Sequence, residues 1–357
     1  MSRFIDIHVL QSIPANNLNR DAANQPKQVI YGGTLRSRVS SQAWKRAIRL
    51  EFRKNTDEFM QSERSKHMPT ILAKEIMTQS PDTDLKSATK QAIKILKLGG
   101  VGVTKDKNSD EQITKALFML SAGQIRNIVK FATEHDLDKL TTTEKKELKE
   151  LFKTNNSLDL ALFGRMVAED ADLNVDAACQ VAHAFSVNSI EPEFDYFTAI
   201  DDYNNEKKVT GAAMIDSNGF NSSTLYRYAN INVTELKHNL QDDNLVKKGV
   251  TEFLKDFVLS MPSGKQNSYA NHTLPAYVMI TVRDDQPVNL ASAFETAINS
   301  SIGYLQKSVS ALESEFKADQ KFVAKPIYTG VVTTKKTELN SIDNLSDLIA
   351  EAVKNTK

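Results

Sequence analysis

The spacing of apolar residues changes twice along the chain, and that change constrains the fold more than any other feature. Four segments are rich in β-branched and aromatic residues, as strands are: 4–10, 194–200, 225–233 and 276–282. Between about Phe59 and Val187 the apolar spacing is helical and strand signals are absent. We therefore predict strands before and after one inserted helical segment.

Helices fill much of the remaining sequence. Inside the insertion, helical spacing covers four segments: 71–77, 87–98, 111–133 and 143–152. Three further helices are predicted after it: 243–260, 290–317 and 341–357. Strands that alternate with helices around a large insertion predict an α+β fold of the ferredoxin-like or RNA-recognition type.

The composition excludes several classes of protein. With 40% hydrophobic and 25% charged residues, the 357-residue chain is typical of a folded protein rather than a disordered one. Cys179 is the single cysteine, which excludes an internal disulfide, and we predict that it is buried in a helix. No apolar run approaches a membrane span, and the histidines lack the spacing of metal ligands. We expect a cytoplasmic protein with no membrane partner, no metal and no cofactor.

Positive charge is concentrated near the start of the chain, although the whole sequence balances 45 basic against 45 acidic residues. Between Arg20 and Lys54, nine residues are Lys or Arg, whereas only Asp21 and Glu51 are acidic. A helix predicted from Ser41 adds its N-terminal amides to this segment. The Arg and Lys side chains supply phosphate contacts, and Ser40, Ser41 and Gln42 add neutral donors. The segment favours a polyanionic partner, with a solvated basic surface as the alternative.

Two methionines and one group of lysines each allow a structural and a functional interpretation. Met166 follows a turn at Gly164-Arg165, and Met214 lies in a polar, turn-rich stretch. Each methionine is either a core residue or an apolar wedge between bases. Four lysines follow one another on a predicted helix, and at least three of them share one face: Lys145, Lys146, Lys149 and Lys153. Because glutamates interleave, this face is either solvated surface or a track for duplex phosphates.

Sequence evidence for catalysis is confined to Asp21. A carboxylate beside Arg20 in a long loop is able to assist cleavage of a bound RNA, although loop aspartates are also common turn formers. No Gly-x-Ser-x-Gly motif and no paired carboxylates stand out elsewhere. We therefore expect a binding protein rather than an enzyme.

Six segments carry a resemblance to a known family and follow one another up to about Phe294. They are Phe4-Ile5-Asp6-Ile7-His8-Val9-Leu10, Leu18-Asn19-Arg20-Asp21, the stretch from Gly32-Gly33 through Ser40-Ser41-Gln42 to Lys45-Arg46-Ala47, Gly164-Arg165-Met166, 195–202 and 225–232. With these segments the sequence resembles the CasC family, the backbone subunit of the type I-E CRISPR surveillance complex called Cascade. The residues after Lys317 show little resemblance to it.

The resemblance implies an architecture like a right hand, with an RNA-recognition-like palm, helical fingers and a β-hairpin thumb. The palm corresponds to three segments, the last of which includes the C-terminal helices: 1–58, 188–200 and 225–357. The fingers correspond to 59–187 and the thumb to 201–224. In that family, copies of the subunit stack head to tail along a CRISPR guide RNA and serve antiviral defence.

The resemblance also implies roles for individual residues. The loop and first helix of the palm hold the guide backbone, which assigns RNA contacts to Arg20, Lys27, Ser40, Gln42, Lys45 and Arg49. Arg165 belongs to the motif before the wedge, and Met166 and Met214 bracket a displaced base. Lys265, in the Gly264-Lys265-Gln266 loop, is a further RNA contact. The lysines at 145, 146 and 149 steer target DNA, and other Cascade subunits are further partners.

The expected function is sequence-independent binding of guide RNA, because phosphate contacts leave the base edges free to pair with target DNA. Two alternatives remain open. An RNA endonuclease with Asp21 as its carboxylate is one, as a resemblance to the backbone subunits of type III complexes allows. The other is a single-strand RNA chaperone that acts alone.

Overall fold

The computed structural model describes residues 2–54, 57–199 and 214–356. Contacts divide the chain into two compact units, each assembled from separate stretches of sequence. The first unit contains Met1–Ile48, Val181–Asn230 and Phe253–Lys357. The second unit contains Arg49–Gln180 and Ile231–Glu252.

Helices and strands are both numerous in the described residues. The strands are β1 (Phe4–Asn16), β2 (Gln28–Tyr31), β3 (Thr34–Val39), β4 (Ser62–Ser65), β5 (Val103–Lys105), β6 (Gln112–Thr114), β7 (Phe118–Ser121), β8 (Cys179–Val181), β9 (Ala184–Ser186), β10 (Glu193–Ala199), β11 (Met214–Asn232), β12 (Tyr277–Arg283) and β13 (Tyr328–Thr333). The α-helices are α1 (Ser41–Phe52), α2 (Met68–Gln79), α3 (Leu85–Leu98), α4 (Ala122–Glu134), α5 (Thr142–Leu151), α6 (Leu158–Phe163), α7 (Val233–Leu240), α8 (Asp243–Leu259), α9 (Gln266–Tyr269), α10 (Leu305–Asp319) and α11 (Leu345–Lys354). Three short segments are 3₁₀ helices: Glu58–Met60, Ala171–Leu173 and Leu290–Phe294. Among these described helices, none is long and apolar enough to cross a membrane.

The main sheet has the strand order β13-β12-β1-β11-β9-β3-β2, and β8 and β10 also pair with β11. Its neighbours run antiparallel in the pairs β1–β12, β12–β13, β11–β9, β3–β9, β2–β3 and β10–β11. In the longest central pairing, Phe4 lies opposite Arg283 and Leu10 opposite Tyr277. The prediction of a mixed fold of helices and strands is therefore confirmed, and the main sheet is largely antiparallel.

Strand β1 is buried on both faces in the first unit, which explains its nearly continuous apolar sequence. Ile5 and Ile7 are fully buried, and so is Asp6 between them. The Asp6 carboxylate accepts a hydrogen bond from the Tyr228 hydroxyl at 2.7 Å. Burial raises the pKa of Asp6 to about 7. Hydrogen bonds from a neighbouring strand thus satisfy a polar group in the middle of the sheet.

The second unit is mainly helical, but it also contains two small sheets, β4–β7 and β5–β6. The prediction that 59–187 lacks strands is therefore wrong, as is the first half of the helix predicted over 111–133. In that range β6 and β7 come first, and α4 begins only at Ala122. Ser121 separates strand from helix, because its hydroxyl accepts a hydrogen bond from the Gln124 amide in a capping box. Short apolar runs fit both the helical and the strand period, and here the pairing with a neighbouring strand favours the strand.

Two other local predictions need correction. Cys179 is buried as predicted, but it lies in strand β8 rather than in a helix, because this short segment pairs with β11. The helix predicted over 290–317 is divided into the 3₁₀ helix Leu290–Phe294 and α10. Between them Gly303 has a φ of 100°, which no helix accommodates.

Candidate nucleic-acid interface

The loop that follows β1 in the first unit is fixed to strand β11 by two asparagines. The Asn16 side-chain amide donates to the carbonyl oxygen of Asn221 at 2.9 Å. The Asn17 amide donates to the carbonyl oxygens of Gly219 at 2.9 Å and of Asn24 at 3.1 Å. The base of the loop is therefore held in one position, which limits where the exposed residues at its tip are able to lie.

Asp21 forms the turn at the tip of this loop. Its Oδ1 atom accepts hydrogen bonds from the backbone amides of Ala23 at 2.8 Å and Gln25 at 2.9 Å. Arg20 is exposed beside it, and its guanidinium donates to the Asn24 side chain at 3.1 Å. These contacts are those of an aspartate that stabilises a turn.

Asn19 connects the loop to the start of helix α1. Its carbonyl oxygen accepts from the Lys27 amide at 2.8 Å, and its Oδ1 atom accepts from the Ser40 amide at 2.9 Å. Ser40 is buried and precedes the first residue of the helix, so its contribution is to the shape of this surface. Gln42 in the first turn is exposed. The loop residues and the helix start thus lie together in the first unit.

The Gly264-Lys265-Gln266 loop packs against the loop that follows β1. A Cβ atom at Gly264 would lie 2.2 Å from the Leu18 carbonyl oxygen, so only glycine permits this approach. Lys265 follows with a φ of 52° in the left-handed region. The structure therefore brings together five of the predicted RNA-binding residues in the first unit: Arg20, Lys27, Ser40, Gln42 and Lys265.

Helix α1 carries the next two candidates. Lys45 and Arg49 are four residues apart and so share one face of the helix. The opposite face is fixed by Trp44, which is buried under the Arg227 guanidinium at 3.8 Å from its ring centre. Arg49, which belongs to the second unit, donates from Nε to Asp159 Oδ2 at 2.9 Å. Its charge is thus already paired within the protein.

Arg165 is buried in the second unit, so most of its guanidinium is inaccessible to a ligand from solvent. It donates to three carbonyl oxygens, those of Leu173 at 2.9 Å, Met119 at 2.9 Å and Phe152 at 2.7 Å. Burial lowers its pKa to about 10, so the group remains charged at neutral pH. Arg165 therefore holds the local backbone in place.

Met166 is presented by the segment that Arg165 holds. Arg165 and Val175 exchange two backbone hydrogen bonds of 2.9 Å, which close a small loop around residue 166. Gly164 turns the chain out of α6 with a φ of 74°. The Met166 side chain is 85% exposed, which is unusual for a large apolar residue and fits a contact with a ligand.

Met214 begins strand β11 and lies opposite Ala199 in the last described pair of the β10–β11 ribbon. Its side chain is 50% exposed. The first part of the predicted thumb, residues 201–213, lies outside the described residues. The predicted tip of the hairpin therefore falls outside the part of the chain that the structure describes.

The lysines predicted to steer DNA lie on α5 in the second unit. Lys145 and Lys146 are exposed. Lys149 instead donates to Asp170 at 3.0 Å, and this hydrogen bond holds the pKa of Asp170 below its usual value. Two of the three lysines thus present their charge to solvent.

Comparison with known proteins identifies the family. The family model described as CT1975-like protein matches residues 5–355. The chain belongs to this CT1975-like family. Among solved structures, a chain from a "CRISPR RNA-guided surveillance complex, pre-nicking" has 33% identity and a TM-score of 0.88, with 99% of this chain and 100% of that chain covered. A chain from a "CRISPR RNA-guided surveillance complex" has 29% identity and a TM-score of 0.76, with 99% of both chains covered. No curated protein matches the chain.

Sequence reasoning missed Arg38 and Phe194 of this CT1975-like chain as candidate contacts. Arg36 and Arg38 share one face of β3, yet Arg36 is fully buried and donates to backbone carbonyls, whereas Arg38 is only partly buried. Phe194 lies in a strand, where an aromatic residue is usually interpreted as core, but it is 63% exposed. The alternation of strand residues gives no signal for either difference.

Proposed function

We propose that this chain is the guide-RNA-binding backbone subunit of a CRISPR surveillance complex. The observation that carries the proposal is the likeness, over 99% of the chain and at 33% identity, to a chain of an RNA-guided surveillance complex. The first unit supports it, because its exposed loop, helix start and Gly264 loop gather side chains that bind phosphates. Such contacts grip the guide without reading its sequence, which leaves the bases free to pair with target DNA.

The motifs shared with the CasC family assign the complex to type I-E, the Cascade complex. On that basis the chain has an RNA-recognition-like palm, helical fingers over 59–187 and a thumb over 201–224. Further copies bind head to tail along the guide, next to the other subunits. The zero net charge of the chain fits such stacking, because identical copies repel one another little.

In this proposal Met166 and Met214 are each an apolar wedge against bases of the guide, and Lys145 and Lys146 attract target DNA. The exposure of both methionines and of both lysines supports these roles. Arg49 and Arg165 take a different role from the one that the sequence suggests. Arg165 holds backbone carbonyls of the second unit and Arg49 is paired with Asp159, so the phosphate contacts depend on the exposed residues of the first unit.

We further propose that the chain does not cleave RNA. One oxygen of Asp21 accepts two backbone amides, so the residue has a structural task that explains its presence. Incubation of the protein with RNA and a divalent metal ion tests this, with Asp21→Ala beside the wild type. Cleavage that the variant loses would replace the binding function with the endonuclease alternative.

The test of the binding function is mass determination of the protein co-expressed with a CRISPR RNA and, separately, without it. The expected result is a multi-copy particle with the RNA, in which nuclease-sensitive nucleotides recur at a regular interval. A monomer that leaves the RNA uniformly exposed would overturn the proposal. A monomer that protects one short stretch would favour the single-strand RNA chaperone instead.

A further inference from the structure

A groove of about 470 Å³ opens in the first unit beside the loop that contains Lys27. The groove lies between the loop after β1, the paired strands β2 and β3, and the paired strands β10 and β11. Its lining includes two cations, two carboxylates and two aromatic rings: Lys27, Arg38, Asp21, Glu193, Phe194 and Phe220. No residue of this groove other than Lys27 and Asp21 has a role in the function proposed above.

The cations of the groove keep their charge available. Lys27 has no hydrogen-bond or ion-pair partner for its ammonium group within the described residues. Arg38 donates from Nε to the Gln28 carbonyl oxygen at 3.1 Å and from Nη1 to His183 Nδ1 at 3.1 Å. Both partners are neutral acceptors, because an imidazole nitrogen that accepts a hydrogen bond carries no proton. They orient the guanidinium without neutralising its charge.

Arg38 and Lys27 are neighbours across the sheet, because the Arg38 backbone amide donates to the Lys27 carbonyl oxygen at 2.9 Å and both residues line the groove. The pKa of His183 agrees with this. Burial lowers its pKa, and the charges of Arg38 and Lys27 lower it further. A phosphate group bound in the groove would therefore have both cations beside it. A pair of cations of this kind is a usual binding site for a phosphate group of RNA.

The aromatic wall of the groove is equally unusual. Phe194 is 63% exposed, although an isolated phenylalanine gains free energy by leaving water. Tyr196, two residues further on the same face of β10, is also exposed. Exposed aromatic rings beside basic groups are the combination by which proteins bind single-stranded nucleic acids, since every base offers a face for stacking.

The carboxylates set the orientation of a bound nucleotide. Asp21 and Glu193 line the same groove and repel a phosphate group on their side. They accept hydrogen bonds from hydroxyl or amino groups, and ribose offers a 2′-hydroxyl that deoxyribose lacks. The phosphate group therefore belongs beside the cations, and the sugar and base belong beside the carboxylates and Phe194.

We propose that this groove binds one nucleotide of single-stranded RNA, with its phosphate on Lys27 and Arg38 and its base stacked on Phe194. The proposal rests on the guide-binding function above and adds a defined nucleotide position to each subunit. His183 is a positioning residue in it, because it holds the Arg38 guanidinium. A sequence-independent site is retained, since stacking accepts all four bases.

The experiment maps base-specific chemical modification of the guide in the assembled particle, for the wild type and for Phe194→Ala. The matched control is Phe322→Ala, which removes a ring that is 87% exposed elsewhere in the first unit. We expect one nucleotide per repeat to become at least about fivefold more reactive in Phe194→Ala only, because stacking of one base contributes that much or more. A guide with a 2′-deoxy nucleotide at the mapped position should bind the wild type more weakly.

The cationic side is tested by the salt dependence of guide binding. Arg38→Gln should reduce the slope of log affinity against log salt by about 0.7 for each phosphate group that the variant no longer binds, whereas the exposed Lys325→Gln should leave it unchanged.

An unchanged modification pattern in Phe194→Ala, or the same change in Phe322→Ala, overturns the groove proposal. The guide-binding function survives that result if the wild type still protects RNA. A wild type that neither binds nor protects RNA overturns both.

Discussion

Two predicted RNA-binding cations of the first unit differ from two of the second unit in what their charged groups contact. Arg20 is exposed and Lys27 is partly exposed, and neither forms an ion pair within the described residues. Arg49 is paired with Asp159, and Arg165 donates to three carbonyl oxygens. We call the first two the exposed cations and the last two the bonded cations. These four residues, which the sequence places in one class, thus differ in whether their charge is available to a ligand.

The difference follows from the cost of removing a charge from water. A guanidinium that is buried must satisfy its N–H groups within the protein, and it is then unavailable to a ligand. A cation on a fixed but exposed loop keeps its water until a phosphate group replaces it. We therefore expect changes at the bonded cations to alter stability and changes at the exposed cations to alter affinity.

The largest effect is expected for Arg165→Met. Three buried carbonyl oxygens lose the charged donor Arg165, which should lower the free energy of unfolding by more than about 3 kcal/mol. Chemical denaturation followed by circular dichroism measures the change. The matched control is Arg64→Met, which replaces an exposed arginine of the same unit and should change stability by less than about 0.5 kcal/mol. Equal stability of the two variants would refute the bonded role of Arg165.

A smaller effect is expected for Asp159→Asn. The carboxylate accepts hydrogen bonds from Arg49 Nε at 2.9 Å, Ser62 Oγ at 2.8 Å and Ser157 Oγ at 2.7 Å. Loss of its charge should reduce stability by about 2 kcal/mol, because hydrogen bonds to charged groups contribute more than neutral ones. The control is Glu63→Gln, whose exposed contact with Arg53 at 3.5 Å should contribute little. If both variants melt alike, the Arg49–Asp159 pair does not stabilise the second unit.

The sequence predicted the central strands and the position of the basic segment, because period-two apolar patterns and local charge are properties of neighbouring residues. It did not separate the exposed cations from the bonded ones. Arg49 is bonded because Asp159, more than a hundred positions away, lies beside it in the fold. Arg165 is bonded because the backbone carbonyls of Met119 and Phe152 converge on it. Such partners are set by tertiary structure, which a pattern of neighbouring residues does not contain.

The exposed cations are tested by Arg20→Gln. Removal of one phosphate-binding charge should reduce the slope of log guide affinity against log salt by about 0.7 and leave stability within about 0.5 kcal/mol of the wild type. Titration of a labelled guide at several salt concentrations measures the slope. Two unrelated guide sequences should respond alike, since phosphate contacts carry no sequence information. A loss of affinity restricted to one guide would indicate that Arg20 reads bases.

The smallest effect concerns Arg38, which combines features of both classes because it is partly exposed yet bonded to His183. Burial holds the pKa of His183 below its usual value, and the charges of Arg38 and Lys27 lower it further. A histidine whose pKa is lowered by folding contributes stability above the pKa of the unfolded state, near 6.5, and loses it as the pH falls through the lowered value. The free energy of unfolding should therefore decline slightly on acidification below about pH 6.5, by less than about 0.5 kcal/mol for so exposed a pair.

Because other groups also titrate in this range, the His183 contribution is obtained by difference. Denaturation of the wild type and of His183→Gln at pH 8 and pH 5 should give a wild-type advantage at pH 8 that shrinks at pH 5. When both proteins also carry Arg38→Gln, the stability that His183 contributes should change less between pH 8 and pH 5, since one of the two cations that lower its pKa is then missing. An advantage that grows on acidification would mean that His183 is protonated in the folded protein. Arg38 would then lack its acceptor and belong with the exposed cations.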